Sequence, residues 1–225
     1  MPKRALIFIN GDLPNLDATR GIIRPDDFII AADGGTRHAL ALGLLPSVVI
    51  GDLDSLDPVN RRVLEENRVK IIEYPQDKDE TDIELALAYA IEAGYKKICL
   101  VAALGGRLDH TLGNLSLLSD VSLSGLDVRI DDGVEEVFFT RHQAKILGRI
   151  GDIVSLIPWG NPVIGIHTEG LRWQLSDETL YPHKTRGISN EMIAEAAEIQ
   201  IESALLLVIH TRQEGASHQI NGRCL

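Results

Sequence analysis

Cysteine is nearly missing from this chain: Cys99 and Cys224 are the only two in 225 residues. One lies in an apolar, strand-like run and the other beside the C-terminus, which excludes a disulfide framework or a thiolate metal site and leaves both as reduced structural residues. Long hydrophobic runs are missing too. None approaches the ~20 residues that span a bilayer, and the opening MPKRALIFINGD has neither the length nor the small-residue cleavage site of a signal peptide, so a soluble cytoplasmic protein is expected. Basic charge is in deficit, 22 Lys and Arg against 33 Asp and Glu, for a net charge of −11. Affinity for polyanions comes from basic residues displacing counterions, so neither nucleic acid nor a membrane surface is an expected partner. A polyanionic ligand would need local cations or bound metal. Aromatics make up 4% of the chain, with Trp159 and Trp173 the only tryptophans. Internal repeats and low-complexity tracts are also lacking.

What is present is an alternation. Arg4 to Asn10, Phe28 to Asp33, Val48 to Asp52, Lys70 to Tyr74, Lys97 to Leu104 and Val128 to Asp131 read as strands, mostly the continuous apolar runs of a parallel sheet covered on both faces. Helices are predicted over Thr36 to Leu42, Pro58 to Asn67, Asp82 to Ala93 and Thr111 to Leu118. Asp57 before Pro58 is an N-cap signal, and Thr81 with Glu84 forms a capping box. From about Glu136 the pattern changes to short strands separated by Gly and Pro: Val137 to Thr140, Lys145 to Leu147, Asp152 to Ile157, Val163 to His167, Leu171 to Leu175 and Leu205 to Thr211. Asn190 to Ser203 is ambiguous, helical in NEMIAEAAE and alternating like a strand in EIQIE. The expected fold class is therefore α/β: an N-terminal mostly parallel sheet with helices on both faces, residues 1–134, followed by a smaller C-terminal antiparallel β-sandwich, residues 138–225. The tail from Glu214 to Leu225 has little apolar content and reads as mobile.

Acidic residues crowd one region. Between residues 52 and 82, ten of 31 positions are Asp or Glu, where 33 in 225 would give between four and five. Carboxylates packed together repel one another and need a cation, and magnesium is the usual one when a substrate carries phosphates. The polar segments Gly11-Asp12, Ala32 to Gly35, Gly51 to Ser55, Gln76 to Asp82 and Gly105 to His110 each follow a predicted strand. In an open parallel sheet all these strand ends share the edge where ligands bind. Each segment also has a plainer reading. Asp33-Gly34-Gly35 would serve as a tight turn, Asp79 and Asp82 would favour a helix macrodipole, and His110 would pack or cap. Asp52 and Asp54, alternating at a strand end, would face the same side. Arg107 behind Gly105-Gly106 offers a forked cation suited to phosphate oxygens.

AADGG at 31–35, GDLDS at 51–55, DKDETD at 77–82, GGRLDHTLGN at 105–114, GLRW at 170–173 and ISNE at 188–191 stand in the order found in thiamine pyrophosphokinases, which this chain closely resembles from about residue 5 to 211. The resemblance implies an ATP- and magnesium-binding α/β domain, a thiamine-binding and dimerising β-sandwich, and transfer of a pyrophosphoryl group from ATP to thiamine. It implies Asp52, Asp54, Asp82 and Asp109 as metal and reacting-centre carboxylates, joined in catalysis by Arg107. Asp33, Gly34, Lys78, Asp79, Thr81, Arg107 and His110 would bind ATP. Trp173 would stack on thiamine and Ser189 and Asn190 would hydrogen-bond it, in a site facing the partner subunit of a homodimer. Without the resemblance Trp173 reads as a sandwich core residue. Asp-x-Asp-x-Ser after a strand also resembles the nucleophile motif of haloacid-dehalogenase-type phosphatases, but that class places it after the first strand rather than the third. A noncatalytic thiamine or nucleotide sensor would have less need of both the carboxylates and Arg107.

Overall fold

The structure is a computed structural model that describes residues 4–213. Cys224 and the tail read as mobile lie outside the described residues. The chain divides into two compact units between Phe139 and Thr140.

In the first unit, β1 (Arg4–Phe8), β2 (Phe28–Ala32), β3 (Val48–Gly51), β4 (Lys70–Glu73), β5 (Lys97–Val101) and β6 (Asp127–Asp131) are mutually parallel, and β7 (Glu135–Thr140) returns antiparallel to β6. Their order is β4-β3-β2-β1-β5-β6-β7. Leu6 pairs with Ile29 on one side and Cys99 on the other. Ala5 to Phe8 are fully buried, as expected of a central strand covered on both faces. The helices are α1 (Leu16–Ile22), α2 (Thr36–Ala41), α3 (Pro58–Glu66), α4 (Asp82–Glu92) and α5 (Leu108–Leu118). Leu6, Phe8 and Ile29 pack with Ile22 of α1 and Ala39 of α2, while Ala31 and Val49 pack with Leu64 of α3. Side chains alternate along a strand, so Ile7, Ile30 and Ile50 are left for the opposite face, where α4 packs on β1, β2 and β3 through Ile83, Ala86, Leu87 and Ala90.

The caps read from sequence are in place. Asp57 accepts a bond from the Val59 amide with Pro58 at the first helical position. The Thr81 hydroxyl caps α4 while Glu84 reaches back to the Thr81 amide. Two helices differ from expectation. Helix α1, just after Pro14, is not among the predicted helices; the Asn15 carboxamide caps it by accepting from the amides of Asp17 and Ala18. Helix α5 starts one turn earlier than Thr111, at Leu108, so Asp109 and His110 sit in its first turn rather than in a loop.

The second unit is all antiparallel. One group places β9 (Ile153–Pro158) between β12 (Asn190–Glu191) and β14 (Leu206–Thr211). The other runs β11 (Glu178–Leu180), β10 (Val163–Glu169), β13 (Ala196–Gln200), β8 (Gln143–Leu147). Alternate residues are buried, Val154 and Leu156 in β9 and Ala197 and Ile199 in β13. Two expectations fail here. Leu171 to Leu175 is not a strand: after a single bridge from Leu171 to Met192 the chain turns, held by Asn190 and Thr168. The helical reading of NEMIAEAAE also gives way, because β13 is hydrogen-bonded to β8 on one side and β10 on the other, and that pairing overrides Ala and Glu propensity. Among the described residues no helix is long and apolar enough to cross a membrane.

Candidate active site

Strand order reverses direction between β1 and β5, since β2, β3 and β4 follow on one side and β6 on the other. Ligands of open α/β sheets bind at such a switch point, beyond the carboxyl ends of the strands. The five polar segments all emerge at that edge.

At its centre, Asp33, Asp52 and Asp82 each bring one carboxylate oxygen within 4.8 Å of the other two. Asp33 opens a single 3₁₀ turn directly after β2, with φ at +41°, a strained value for a non-glycine residue that burial of the turn holds in place. It is 5% exposed, and its Oδ1 is buried without a hydrogen-bond partner. Burial pushes the Asp33 carboxyl above the usual range; bonds from Ser55 and Gly34 oppose this, and the charges of Asp82 and Asp52 add to it. Asp82 is the first residue of α4, placed there by the capping box. Its Oδ1 is 2.9 Å from Lys78 Nζ. Gly51 makes the approach of the two acids possible: a Cβ there would lie 2.8 Å from Asp33 Cβ and 3.2 Å from Asp82 Oδ1. Three converging carboxylates, two of them, Asp33 and Asp82, with a buried oxygen that no hydrogen bond satisfies, fit a divalent cation that prefers hard oxygen ligands.

Asp54 and Asp109 are not in that group of three. Strand β3 stops at Gly51, and Leu53, with φ at +62° and its side chain buried, turns the segment so that Asp52 and Asp54 do not alternate as on a strand. Asp52 Oδ1 instead accepts from the Asp54 amide at 3.1 Å. The Asp54 carboxylate takes bonds from Ser55 Oγ at 2.9 Å and Gln76 Nε2 at 3.3 Å. Asp109 is paired with Arg107, whose Nε donates to Oδ1 at 3.1 Å and whose Nη2 donates to Oδ2. That bond holds the Asp109 carboxyl below the usual range, and both side chains are exposed. Asp79 and His110 are exposed as well, and Thr81 spends its hydroxyl on the helix cap.

The sequence places Gly11-Asp12 at this edge but gives Asp12 no role of its own. Its Oδ2 accepts from the Gly106 amide at 2.7 Å, while the Asp12 amide donates to Leu104 O at 2.9 Å, so the turn after β1 is bound to the glycine turn that presents Arg107. Asn114, inside the quoted GGRLDHTLGN, ties α5 to the end of β5 through a 2.7 Å bond to Ala103 O. His38 Nε2 donates to Gly11 O at 2.9 Å, and burial pushes that imidazole below its ordinary pKa. The signal for Asp12 was its place in NGD directly after β1, which spacing alone did not distinguish from an ordinary turn.

In the second unit Trp173 is 58% exposed and so is not a core residue. The buried Asn190 carboxamide grips its main chain at both ends: Oδ1 accepts from Trp173 N at 3.0 Å and Nδ2 donates to Trp173 O at 2.7 Å. The Arg172 guanidinium lies 5.4 Å from the indole centroid and pairs with Glu191 at 2.8 Å. Ser189 is exposed with φ at +59°, and its amide donates to Ser155 Oγ at 3.0 Å.

Comparison with known proteins decides what this arrangement belongs to. The family model described as "Thiamin pyrophosphokinase, catalytic domain" matches residues 20–130, and "Thiamin pyrophosphokinase, vitamin B1 binding domain" matches residues 141–206. Thiamine pyrophosphokinase 1 of Arabidopsis thaliana is 30% identical, across 96% of this chain and 90% of that protein. The chain belongs to the thiamine pyrophosphokinase family. The Bacillus subtilis thiamine pyrophosphokinase is 28% identical over 81% of this chain and 86% of its own. A crystal structure of a B. subtilis thiamine pyrophosphokinase superposes with a TM-score of 0.84 at 24% identity, covering 94% of this chain and all of that one, which establishes the shared fold. Membership in this kinase family sets aside the phosphatase and the noncatalytic sensor.

Proposed function

We infer that this enzyme transfers the pyrophosphoryl group of ATP to the hydroxyl of thiamine, giving thiamine diphosphate and AMP, with its reaction centre at Asp33, Asp52 and Asp82. The observation that carries the placement is the convergence of those three carboxylates at the strand edge, with Asp33 Oδ1 left unpartnered in a buried position. We assign the first unit to ATP and magnesium and the second to thiamine.

Asp33, Asp52 and Asp82 would hold magnesium, which when bound neutralises charge on the phosphate oxygens. The protein's own contribution is positioning and electrostatics, which supply most of the catalysis in phosphoryl-type transfers. Asp33 and Gly51 are fixed in the buried edge of the sheet, so the carboxylates are aligned before substrate arrives. Arg107 stands on a turn braced by Asp12 and offers its guanidinium to phosphate once it parts from Asp109. Lys78 supplies a second cation to the same region, and Gly34 lets the turn after β2 pack against Asn10, since a Cβ there would lie 2.5 Å from Asn10 Cγ. Asp54 and Asp109, within the motifs that match the family, are assigned to the substrate-loaded centre, with Asp79, Thr81 and His110 at its nucleotide side.

On the second unit Trp173 provides the plate for thiamine. Cation-π attraction to the thiazolium is worth ~0.5 to 2 kcal/mol. Arg172 already lies over the indole, so the ligand would use the open face of the ring. Asn190 is assigned to holding Trp173 in place, since its carboxamide is engaged with the Trp173 main chain, and Ser189 to the aminopyrimidine. We place the complete thiamine site at the subunit interface of a homodimer.

The test is incubation with ATP, magnesium chloride and thiamine, followed by chromatography of the products. AMP and thiamine diphosphate in equal amounts are expected. ADP with thiamine monophosphate, or free phosphate alone, would refute the assignment.

A further inference from the structure

Lys78, assigned above to phosphate, also pairs with a member of the carboxylate group. Its ammonium lies 2.9 Å from Asp82 Oδ1, with the lysine side chain 12% exposed and the aspartate 28%. Asp82 Oδ1 is the oxygen turned toward Gly51 and Asp33, as the 3.2 Å separation from a Gly51 Cβ requires, so it faces into the three-carboxylate group rather than away from it. Lys78 precedes the helix cap at Thr81, and its position four residues before Asp82 lets it fold back over the start of α4. One cationic side chain is thus ion-paired, without hydrogen-bond geometry, to the oxygen that a divalent cation would also need.

We propose that Lys78 and the divalent cation compete for Asp82 Oδ1, so that Lys78 is an internal counter-ion that weakens metal binding until a nucleotide phosphate draws the ammonium away. A lysine can do this because its ammonium is a compact charge on a flexible stem that exchanges one oxygen partner for another without a fixed geometry. The exchange makes metal and nucleotide bind together: phosphate removes the competitor, and the freed carboxylate takes the cation. By thermodynamic linkage the metal then raises nucleotide affinity by the same factor. The proposal rests on the assignment of Asp33, Asp52 and Asp82 as the metal site.

The test is Mn²⁺ binding by calorimetry to the full-length protein without nucleotide, comparing wild type with Lys78→Gln and Lys78→Met, and with Asp52→Asn as reference. Removing the competitor is expected to tighten Mn²⁺ binding roughly fivefold or more in both lysine variants, on the scale of a partly exposed ion pair. The increase in melting temperature on adding MgCl₂ alone should also be larger in both variants than in wild type. Unchanged or weaker Mn²⁺ binding in folded Lys78 variants, with Asp52→Asn impaired, overturns the competition and leaves the metal site standing. Binding that Asp52→Asn does not impair overturns the metal site itself and the proposal with it.

Discussion

Gly51→Ala is the sharpest probe of the centre, because it adds one methyl group between two acids. The new Cβ would sit 2.8 Å from Asp33 Cβ, against about 3.5–4.0 Å for carbons in ordinary contact. Relief therefore requires roughly 1 Å of movement between the two backbones. Asp33 cannot readily yield, being 5% exposed on a tight turn with φ already at +41°. Gly51 itself has φ at +151°, where a side chain costs of order 1–3 kcal/mol. The variant should lose about that much stability in urea unfolding. Misplacement by ~1 Å costs around 100-fold in catalysis, so the folded enzyme, assayed well below its melting temperature, should lose at least that factor in kcat/KM for thiamine diphosphate formation. Its stabilisation by MgCl₂ should shrink in parallel. A folded Gly51→Ala protein with normal magnesium stabilisation and near-normal turnover would refute the view that Asp33 and Asp82 act as a pair.

Asp27→Ala should destabilise the protein by about 3–5 kcal/mol in urea melts, because it strands the Arg4 guanidinium, which pairs with Asp27 at 2.6 Å with the two side chains 11% and 0% exposed. Asp152 gives a pH prediction. Burial alone would raise its carboxyl, but the amides of Arg149 and Gln213 together with His210 outweigh burial and hold it below the usual range. A depressed folded-state pKa means stability present above the unfolded value near ~4 and lost as pH falls through the folded one. Asp152→Asn should therefore melt lower at pH 7 and show a flatter decline below pH ~4, and an acid limb matching wild type would count against the pairing. Trp173→Ala should raise KM for thiamine about tenfold while KM for ATP stays within twofold, and equal shifts in both would exclude stacking. Asn190→Ala should reproduce the thiamine-side effect in weaker form if its task is to orient Trp173.

The parallel core was readable because its strands are continuous apolar runs and its helices carry explicit caps. Asp57-Pro58 and Thr81 to Glu84 each marked a helix start from local chemistry alone. What escaped depends on partners distant in sequence. Helix α1 is only seven residues long, follows Pro14 and contains Gly21, so nothing but the Asn15 cap announces it. NEMIAEAAE has the composition of a helix and becomes strand only because neighbouring strands supply its hydrogen bonds. At the site, the motifs marked loops that gather at one strand edge but not which carboxylates meet. Asp33 looked like a supporting residue, yet it is the most buried member of the group. Its role follows from the parallel alignment of Ala32 with Ile50, which brings the ends of β2 and β3 side by side and which no local pattern encodes.

Four acids of the family-matching motifs, Asp52, Asp82, Asp54 and Asp109, differ in how firmly they are held, and on the proposed reading that difference has a chemical use. Asp52 and Asp82 are anchored by a turn and a helix start beside a buried neighbour, so their spacing survives the approach of a charged ligand. Asp54 and Asp109 hold their present partners, Gln76 and Arg107, at the protein surface, where solvent offsets most of what is lost when such a bond opens. On that reading a triphosphate arriving at the edge would take Arg107 from Asp109 at small cost and leave that carboxylate free for the reacting centre. On the proposed reading a rigid trio sets the position of the metal, while the outer acids exchange protein partners for substrate. The trio without the outer pair would bind a cation and have less with which to respond to the nucleotide.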